Sequence, residues 1–333
     1  MRTVVTKNNR VEIITEDKPL LKPPYLLIKT LYSVISPGTE LSLIHISKGR
    51  KMNLGYSAVG IVEECGEAAS GFQKGDLVAC YGAPYVKHAE YLLVPVTLCS
   101  KVPDTVDAKD AALAGIGAIA IHALRTADLA FGEKLIVAGL GIIGQLVAQI
   151  ADAAAYEVHA YDLSCERTSL LEWNPNIKLF TERAKLEDAI QAGERNSGAD
   201  AVLLCAGGKR SPLTGQSLSW IRDKGKVVIV GDIEPDFPRD KMFGKEASIL
   251  ISRAGGPGRY DPVYERDAID YPYGFVRWTE GRNVEEYLRL VSENRIIVSS
   301  YLTEEVQFED IENAYEDLLN KDTTVLTKVI KYS

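Results

Sequence analysis

One stretch limits the fold more than any other: Gly139-Leu140-Gly141-Ile142-Ile143-Gly144, set between the apolar run Leu135–Ala138 and the amphipathic segment Ile142–Ala154. Alone, a G-x-G-x-x-G pattern says little; where a buried strand turns into a helix, it is informative. The first glycine permits a tight turn, the second lets backbone approach a pyrophosphate, and the third lets helix and strand pack closely. The helix start adds free N–H groups and a positive dipole end. A dinucleotide-binding Rossmann domain with a doubly wound parallel sheet is the expectation.

The flanking pattern agrees. Leu135–Ala138, Glu157–Tyr161, Ala201–Leu204, Lys226–Val230 and Ser248–Ser252 read as β-branched, apolar strands covered on both faces. Helices are expected at Ile142–Ala154, Leu186–Ala192 and Leu213–Ile221. Asp162 follows the second strand, about twenty residues beyond the glycine loop, where a carboxylate accepts hydrogen bonds from ribose hydroxyls and repels a 2′-phosphate. NAD is therefore expected over NADP, although Arg167 is a nearby cation that suits the phosphate. Cys205-Ala206 and Gly231-Asp232 follow later strands and should face the same crevice. Ordinary strand-to-helix turns are the competing reading there.

Residues 1–125 look different. Arg2–Thr6, Val11–Thr15, Tyr25–Tyr32, Ala58–Glu63 and Leu77–Cys80 are short strands broken by Gly and Pro, as in an antiparallel, barrel-like β domain. Asp110–Thr126 is Ala-rich with helical spacing. After the last sheet strand, the polar segment Gly255–Arg282 reads as a loop over a cleft. Helix Val284–Glu293, strand Ile297–Glu304, helix Phe308–Asn320 and strand Thr327–Ile330 should follow.

A chain of 333 residues suggests two domains, and 46% hydrophobic residues are enough for two cores. The net charge of -8 argues against nucleic acid or an anionic membrane as the main partner. Five scattered cysteines, with no C-x-x-C pair, argue against a disulfide framework and a tetrathiolate zinc site. No signal-peptide core or transmembrane run is seen, so a cytoplasmic protein with a small-molecule substrate is expected.

The whole layout resembles the medium-chain dehydrogenase/reductase family. The motifs are Gly55-Tyr56-Ser57-Ala58-Val59-Gly60, Gly75-Asp76-Leu77-Val78, His88-Ala89-Glu90-Tyr91, the glycine loop, and Glu312-Asn313-Ala314-Tyr315. The resemblance implies a GroES-like β domain (1–125 and 271–333) interrupted by a Rossmann domain (126–270), and a homodimer through Rossmann edge strands. Zinc-dependent members carry Cys-Gly-(Thr/Ser)-Asp and Gly-His-Glu. Here the matching residues are Pro37-Gly38-Thr39-Glu40 and Gly55-Tyr56-Ser57, and a third ligand would fall near Gly115 or Ile116. The resemblance therefore implies no catalytic zinc. Ile35–Glu40 and Gly256–Asp261 also resemble a zinc-lacking subgroup, the dehydrogenase module of bi-domain oxidoreductases of sugar and polysaccharide biosynthesis.

Without a metal, side chains must polarise the substrate oxygen and move its proton. Tyr56 is the first candidate, since by resemblance it points into the cleft; a packed aromatic filling the vacated site is the alternative. Thr39 matches the family's hydroxyl relay, Glu40 could orient a substrate hydroxyl, and His88 has a pKa suited to acid–base work; each also has a structural reading. Arg253, Tyr260, Arg277 and Trp278 are candidates for a polar substrate, with ion pairing inside the segment as the bland reading. The expected activity is NAD-dependent hydride transfer to or from an alcohol or ketone carbon of a sugar- or cyclitol-like substrate. The alternatives are an NADPH-dependent enoyl or quinone reductase and a non-catalytic cofactor-binding protein.

Overall fold

The computed structural model describes residues 1–191, 198–319 and 325–333. The chain divides into two compact units: Met1–Ala118 with Ala254–Ser333, and Ile119–Arg253. The stretch 254–270, assigned from sequence to the dinucleotide domain, lies in the first unit. Ala192 and Asn320, the last residues of two expected helices, lie outside the described residues.

The first unit is built on β structure. Its strands up to the glycine loop are β1 (Arg2–Lys7), β2 (Arg10–Thr15), β3 (Tyr25–Val34), β4 (Met52–Asn53) and β5 (Ser57–Cys65). They are followed by β6 (Leu77–Tyr81), β7 (Tyr91–Pro95) and β8 (Cys99–Lys101). The β1–β2 hairpin turns through Asn8 and Asn9, both at positive φ, a conformation asparagine tolerates. β3 is the organising strand. Register shifts between Leu27/Ile28 and Thr30/Tyr32 bend it against β5 on one edge. Its other edge takes β7 at Tyr25–Lys29. Apolar residues of these strands, including Leu26, Ile28, Val62, Val78, Leu92 and Val94, form one core, and Tyr264 joins it from beyond residue 254.

The second unit holds β9 (Lys134–Ala138), β10 (Glu157–Tyr161), β11 (Lys178–Phe180), β12 (Ala199–Leu204), β13 (Ile221–Ile229) and β14 (Ser248–Ile251). All six run parallel, in the spatial order β11-β10-β9-β12-β13-β14. That is the 3-2-1-4-5-6 order of the dinucleotide-binding doubly wound sheet, with the reversal point beside β9. Leu135–Ala138 are fully buried, as a strand flanked on both edges and covered on both faces requires. The first unit closes with β15 (Glu305–Gln307) and β16 (Val329–Lys331), the latter antiparallel to the end of β3.

Several local expectations change. The Ala-rich stretch is two helices, Ala108–Ala112 and Ala114–Ala127. Ile297–Glu304 is not a strand; it contains a short 3-10 turn at Ser299–Tyr301 that leads into β15. Ser36-Pro37-Gly38 has the composition of a turn, yet Pro37–Ile46 is a helix whose first residue is the proline, where the missing N–H costs nothing. Gly255–Arg282 is no plain loop: it carries a short helix, Pro262–Glu265, and the start of a long one, Glu280–Ser292. Among the described residues no helix is long and apolar enough to cross a membrane.

Candidate active site

In the second unit, the glycine loop divides its labour as the spacing predicts. Gly139 has φ +97°, and a Cβ there would lie 2.6 Å from the Ala206 backbone nitrogen. A Cβ on Gly144 would lie 1.9 Å from the Gly139 carbonyl oxygen, so only hydrogen allows helix Ile142–Ala153 to sit this close to β9. Gly141 is the contrast. It is the N-cap of that helix, no side chain caps it, and a Cβ there would meet nothing within 4 Å. A glycine with free space above it, at the positive end of a helix, fits a diphosphate approaching the backbone. Leu140 is fully buried and Ile142 5% exposed, so they anchor the loop; Ile143 is half-buried.

Asp162 follows β10 and is 9% exposed. Its Oδ2 accepts from the Leu140 N–H at 2.6 Å, and its Oδ1 from the Ser164 N–H at 2.9 Å. The Arg167 guanidinium stands 3.7 Å from the same carboxylate. The carboxylate thus ties the second strand to the glycine loop, a link the sequence did not suggest. Gln145, also unforeseen, is fully buried and donates to the carbonyls of Leu140 and Arg167. Cys205, Ala206 and Gly231 pack closely. The Cys205 and Ala206 N–H groups both donate to the Ala138 carbonyl, and a Cβ on Gly231 would lie 2.3 Å from the Ala206 oxygen. Burial pushes the Cys205 thiol up to about 12. Asp232 is exposed just beyond them.

In the first unit, Tyr56 is half-buried and donates to the Ser36 hydroxyl. Its ring meets Tyr81 edge-on at 6.0 Å between centroids. Burial pushes its phenol up to about 12, against a smaller opposing effect of the Ser36 hydroxyl. Thr39 is exposed, and its hydroxyl also bonds the phenol. Ser36 was missed; the signal was its place directly before Pro37, the N-cap of a helix.

Glu40 and His88 need correction as direct catalytic groups. Both are fully buried. His88 bonds Ser33 through Nδ1 at 2.7 Å and Glu40 through Nε2 at 3.0 Å. Glu40 also accepts from the Tyr315 hydroxyl and, at 2.7 Å, from the Ser36 N–H. This closed network occupies the interior, because a buried carboxylate must be paired and hydrogen-bonded. It reaches the Tyr56 site by holding Ser36 and through the Glu40 charge, which raises the Tyr56 phenol further. His45 is exposed, His122 lies on a helix, and burial lowers His159 to about 4 inside β10.

The substrate candidates are not gathered with Tyr56. Arg277 stacks on the rings of Tyr273 (4.4 Å) and Trp278 (3.7 Å). These three line an open cavity of about 570 Å³ whose lining includes neither Tyr56 nor Tyr260. Tyr260 is 52% exposed under the Arg259 guanidinium, and Arg253 is exposed in the other unit. Arg259 pairs with Glu265 and donates to the Ala83 carbonyl at 2.6 Å, so this part of the segment is a clasp inside the first unit.

Three positions correspond to zinc ligands in the resembled family: Pro37, Tyr56 and Gly115. Pro37 has no side-chain donor, and the Tyr56 hydroxyl is engaged with Ser36. A Cβ on Gly115 would lie 2.6 Å from Tyr81 Cδ2, leaving no room for a ligand side chain. Among the described residues no group of three or more His, Cys, Asp or Glu could hold a metal ion.

No family model matches the chain. It is 25% identical over 297 residues to the sorbitol dehydrogenase of Halalkalibacterium halodurans, covering 78% of this chain and 86% of that one. It is 26% identical over 302 residues to D-xylulose reductase A of Aspergillus niger, covering 80% and 77%. The alcohol dehydrogenase TADH from Thermus sp. ATN1 superposes with a TM-score of 0.79 at 21% identity, over 100% of both chains. Two further solved neighbours carry cofactor. One, from Sinorhizobium meliloti 1021, is bound to NADP (TM-score 0.78, 18% identity, 99% and 98% covered). The other, from Escherichia coli CFT073, is complexed with NADH (TM-score 0.79, 15% identity, 99% of each). The fold is thus that of the medium-chain dehydrogenases, a GroES-like domain with a Rossmann domain. The relatives are dehydrogenases and reductases, which supports an enzymatic function.

Proposed function

We propose that this chain is an NAD-dependent, zinc-independent oxidoreductase acting on an alcohol or ketone carbon of a polar, polyol- or sugar-like substrate. The observation that carries the reading is the open space over Gly141 beside Asp162. The diphosphate would rest on the backbone from Gly139 to Gly144, and a negative carboxylate beside it disfavours a 2′-phosphate. Solved neighbours hold either NADP or NADH, so the preference is argued from Asp162 alone.

When bound, the nicotinamide accepts or donates the hydride. The rest falls to this chain's side chains. Tyr56, protonated at neutral pH, donates a hydrogen bond to the substrate oxygen and stabilises the charge that develops there. Ser36 accepts the single phenolic proton until substrate takes it, and then donates its own hydroxyl to the phenol oxygen; exposed Thr39 links the phenol towards water, so the substrate proton has a hydroxyl route. Glu40 fixes Ser36 from behind. Pro37, Tyr56 and Gly115 support zinc independence through their chemistry. The polyol class is supported by the relatives named for sorbitol and D-xylulose.

The test is turnover of NAD with a panel of polyols after exhaustive chelation. Activity that survives chelation supports the proposal. Activity restored only by zinc refutes the metal claim, and oxidation of NADPH by enones or quinones refutes the substrate class.

A further inference from the structure

Glu280 opens the helix Glu280–Ser292 and is fully buried. A carboxylate at a helix start normally takes first-turn N–H groups. Here they are taken elsewhere. The Glu280 N–H donates to the Pro257 carbonyl at 2.8 Å, the Gly281 N–H to the Tyr264 hydroxyl at 3.3 Å, and the Arg282 N–H to Thr279 Oγ1 at 3.3 Å. Among the described residues neither Glu280 oxygen has a conventional hydrogen-bond partner. The side chain facing it is Glu265, another carboxyl, 6% exposed. Two buried carboxylates in contact cannot both ionise. A neutral acid at Glu280 removes the conflict, because its O–H can donate to the Glu265 carboxylate. Glu265 in turn accepts from the Arg259 guanidinium and, at 3.1 Å, from the Tyr260 N–H. Two carboxyls, one proton and one guanidinium then sum to zero charge.

The cluster lies against the active-site tyrosines. A Cβ on Gly255 would sit 2.6 Å from Tyr81 Cε1 and 3.1 Å from Glu280 Cβ, so Tyr81 and Glu280 close on the same glycine. Tyr81, 2% exposed, presents its ring to Tyr56. Arg259 also holds the Ala83 carbonyl, two residues beyond Tyr81.

We propose that Glu265 and Glu280 share one proton beside Arg259, and that this acid pair is a positioning element that holds Tyr81 against Tyr56. The second half rests on the reading of Tyr56 given above. The titratable or charged groups that bear on Glu280 are Glu265, Arg259, Tyr81, Tyr264 and Tyr271. Burial, reinforced by Glu265, pushes the Glu280 carboxyl up to about 9. Above that pH the proton leaves, two negative charges meet, and the support under Tyr81 fails.

Infrared difference spectra between neutral pH and about pH 10 test the shared proton. The wild-type protein should lose the carbonyl stretch of a neutral carboxylic acid, and Glu280→Gln should show no such loss. Turnover tests the positioning. Glu280→Ala should lower kcat about tenfold or more with little change in cofactor affinity. Glu280→Gln, which copies the shape and neutrality of the acid, should restore kcat and abolish the alkaline fall near pH 9. An infrared loss that persists in Glu280→Gln, or an alkaline limb unchanged by it, would overturn the proposal. Undiminished turnover in Tyr56→Phe would instead sink the reading of Tyr56 and leave the infrared result untouched.

Discussion

Alanine placed at Gly141 and at Gly144 should fail in different ways. At Gly144 the new methyl would stand 1.9 Å from the Gly139 carbonyl oxygen and 2.9 Å from its carbon. Neither atom is the end of a flexible side chain, so helix and strand must separate. Overpacking costs typically about 1–3 kcal/mol, and a clash with backbone belongs at the upper end. At ~3 kcal/mol the melting temperature should fall by roughly 6–12 °C. At Gly141 the methyl meets nothing within 4 Å, and φ is -66°, which alanine adopts without strain. The fold should lose under about 1 kcal/mol, the difference between glycine and alanine as an N-cap. The methyl does, however, fill the space that a diphosphate needs. NADH affinity should drop at least about tenfold, ~1.4 kcal/mol. Thermal melts and fluorescence titration with NADH measure both quantities on both variants. Wild-type NADH affinity in Gly141→Ala would refute the placement of the diphosphate, whatever Gly144→Ala does.

Asp162→Ser should shift preference towards NADPH by removing the charge that repels a 2′-phosphate; an unchanged ratio of the two affinities would show that Asp162 does not read the ribose. Tyr56→Phe should lower kcat by about 10²-fold, within the range for a positioned proton donor, and leave NADH affinity alone; equal turnover removes Tyr56 from the chemistry. Arg259→Ala should cost ~3–5 kcal/mol, because it strands the Glu265 charge in a site where the Arg259 side chain is only 11% exposed; a melting temperature within a degree or so of wild type would contradict the clasp.

The parts that were legible in the sequence share a physical reason. The glycine loop and β9, β10, β12 and β14 are local patterns, in which spacing and apolar runs fix the outcome within a few residues. β10 was read to the residue. Other elements were hidden where local signals conflict. Ser36-Pro37-Gly38 reads as a turn, yet proline at the first helical position and a serine before it also start a helix. Ile297–Glu304 has strand-like residues, but Ser299-Ser300 turns the chain before β15 begins. The site suffered most from long-range pairing. The contacts of Glu40 with Tyr315 and of Ser33 with Tyr332 span 275 and 299 residues. No periodicity reports such a pairing, so His88 and Glu40 looked like free catalytic groups. The partners of Arg259, Glu265 and the Ala83 carbonyl, are likewise settled only by folding.

The proposed function requires a dinucleotide held by the Gly139–Gly144 backbone in a protein that needs no metal. Calorimetric titration of metal-stripped protein with NADH, and separately with NADPH, addresses it most directly. One NADH bound per chain, more tightly than NADPH, is the predicted result. No heat of binding with either dinucleotide, or NADH binding that returns only when zinc is added back, would contradict it.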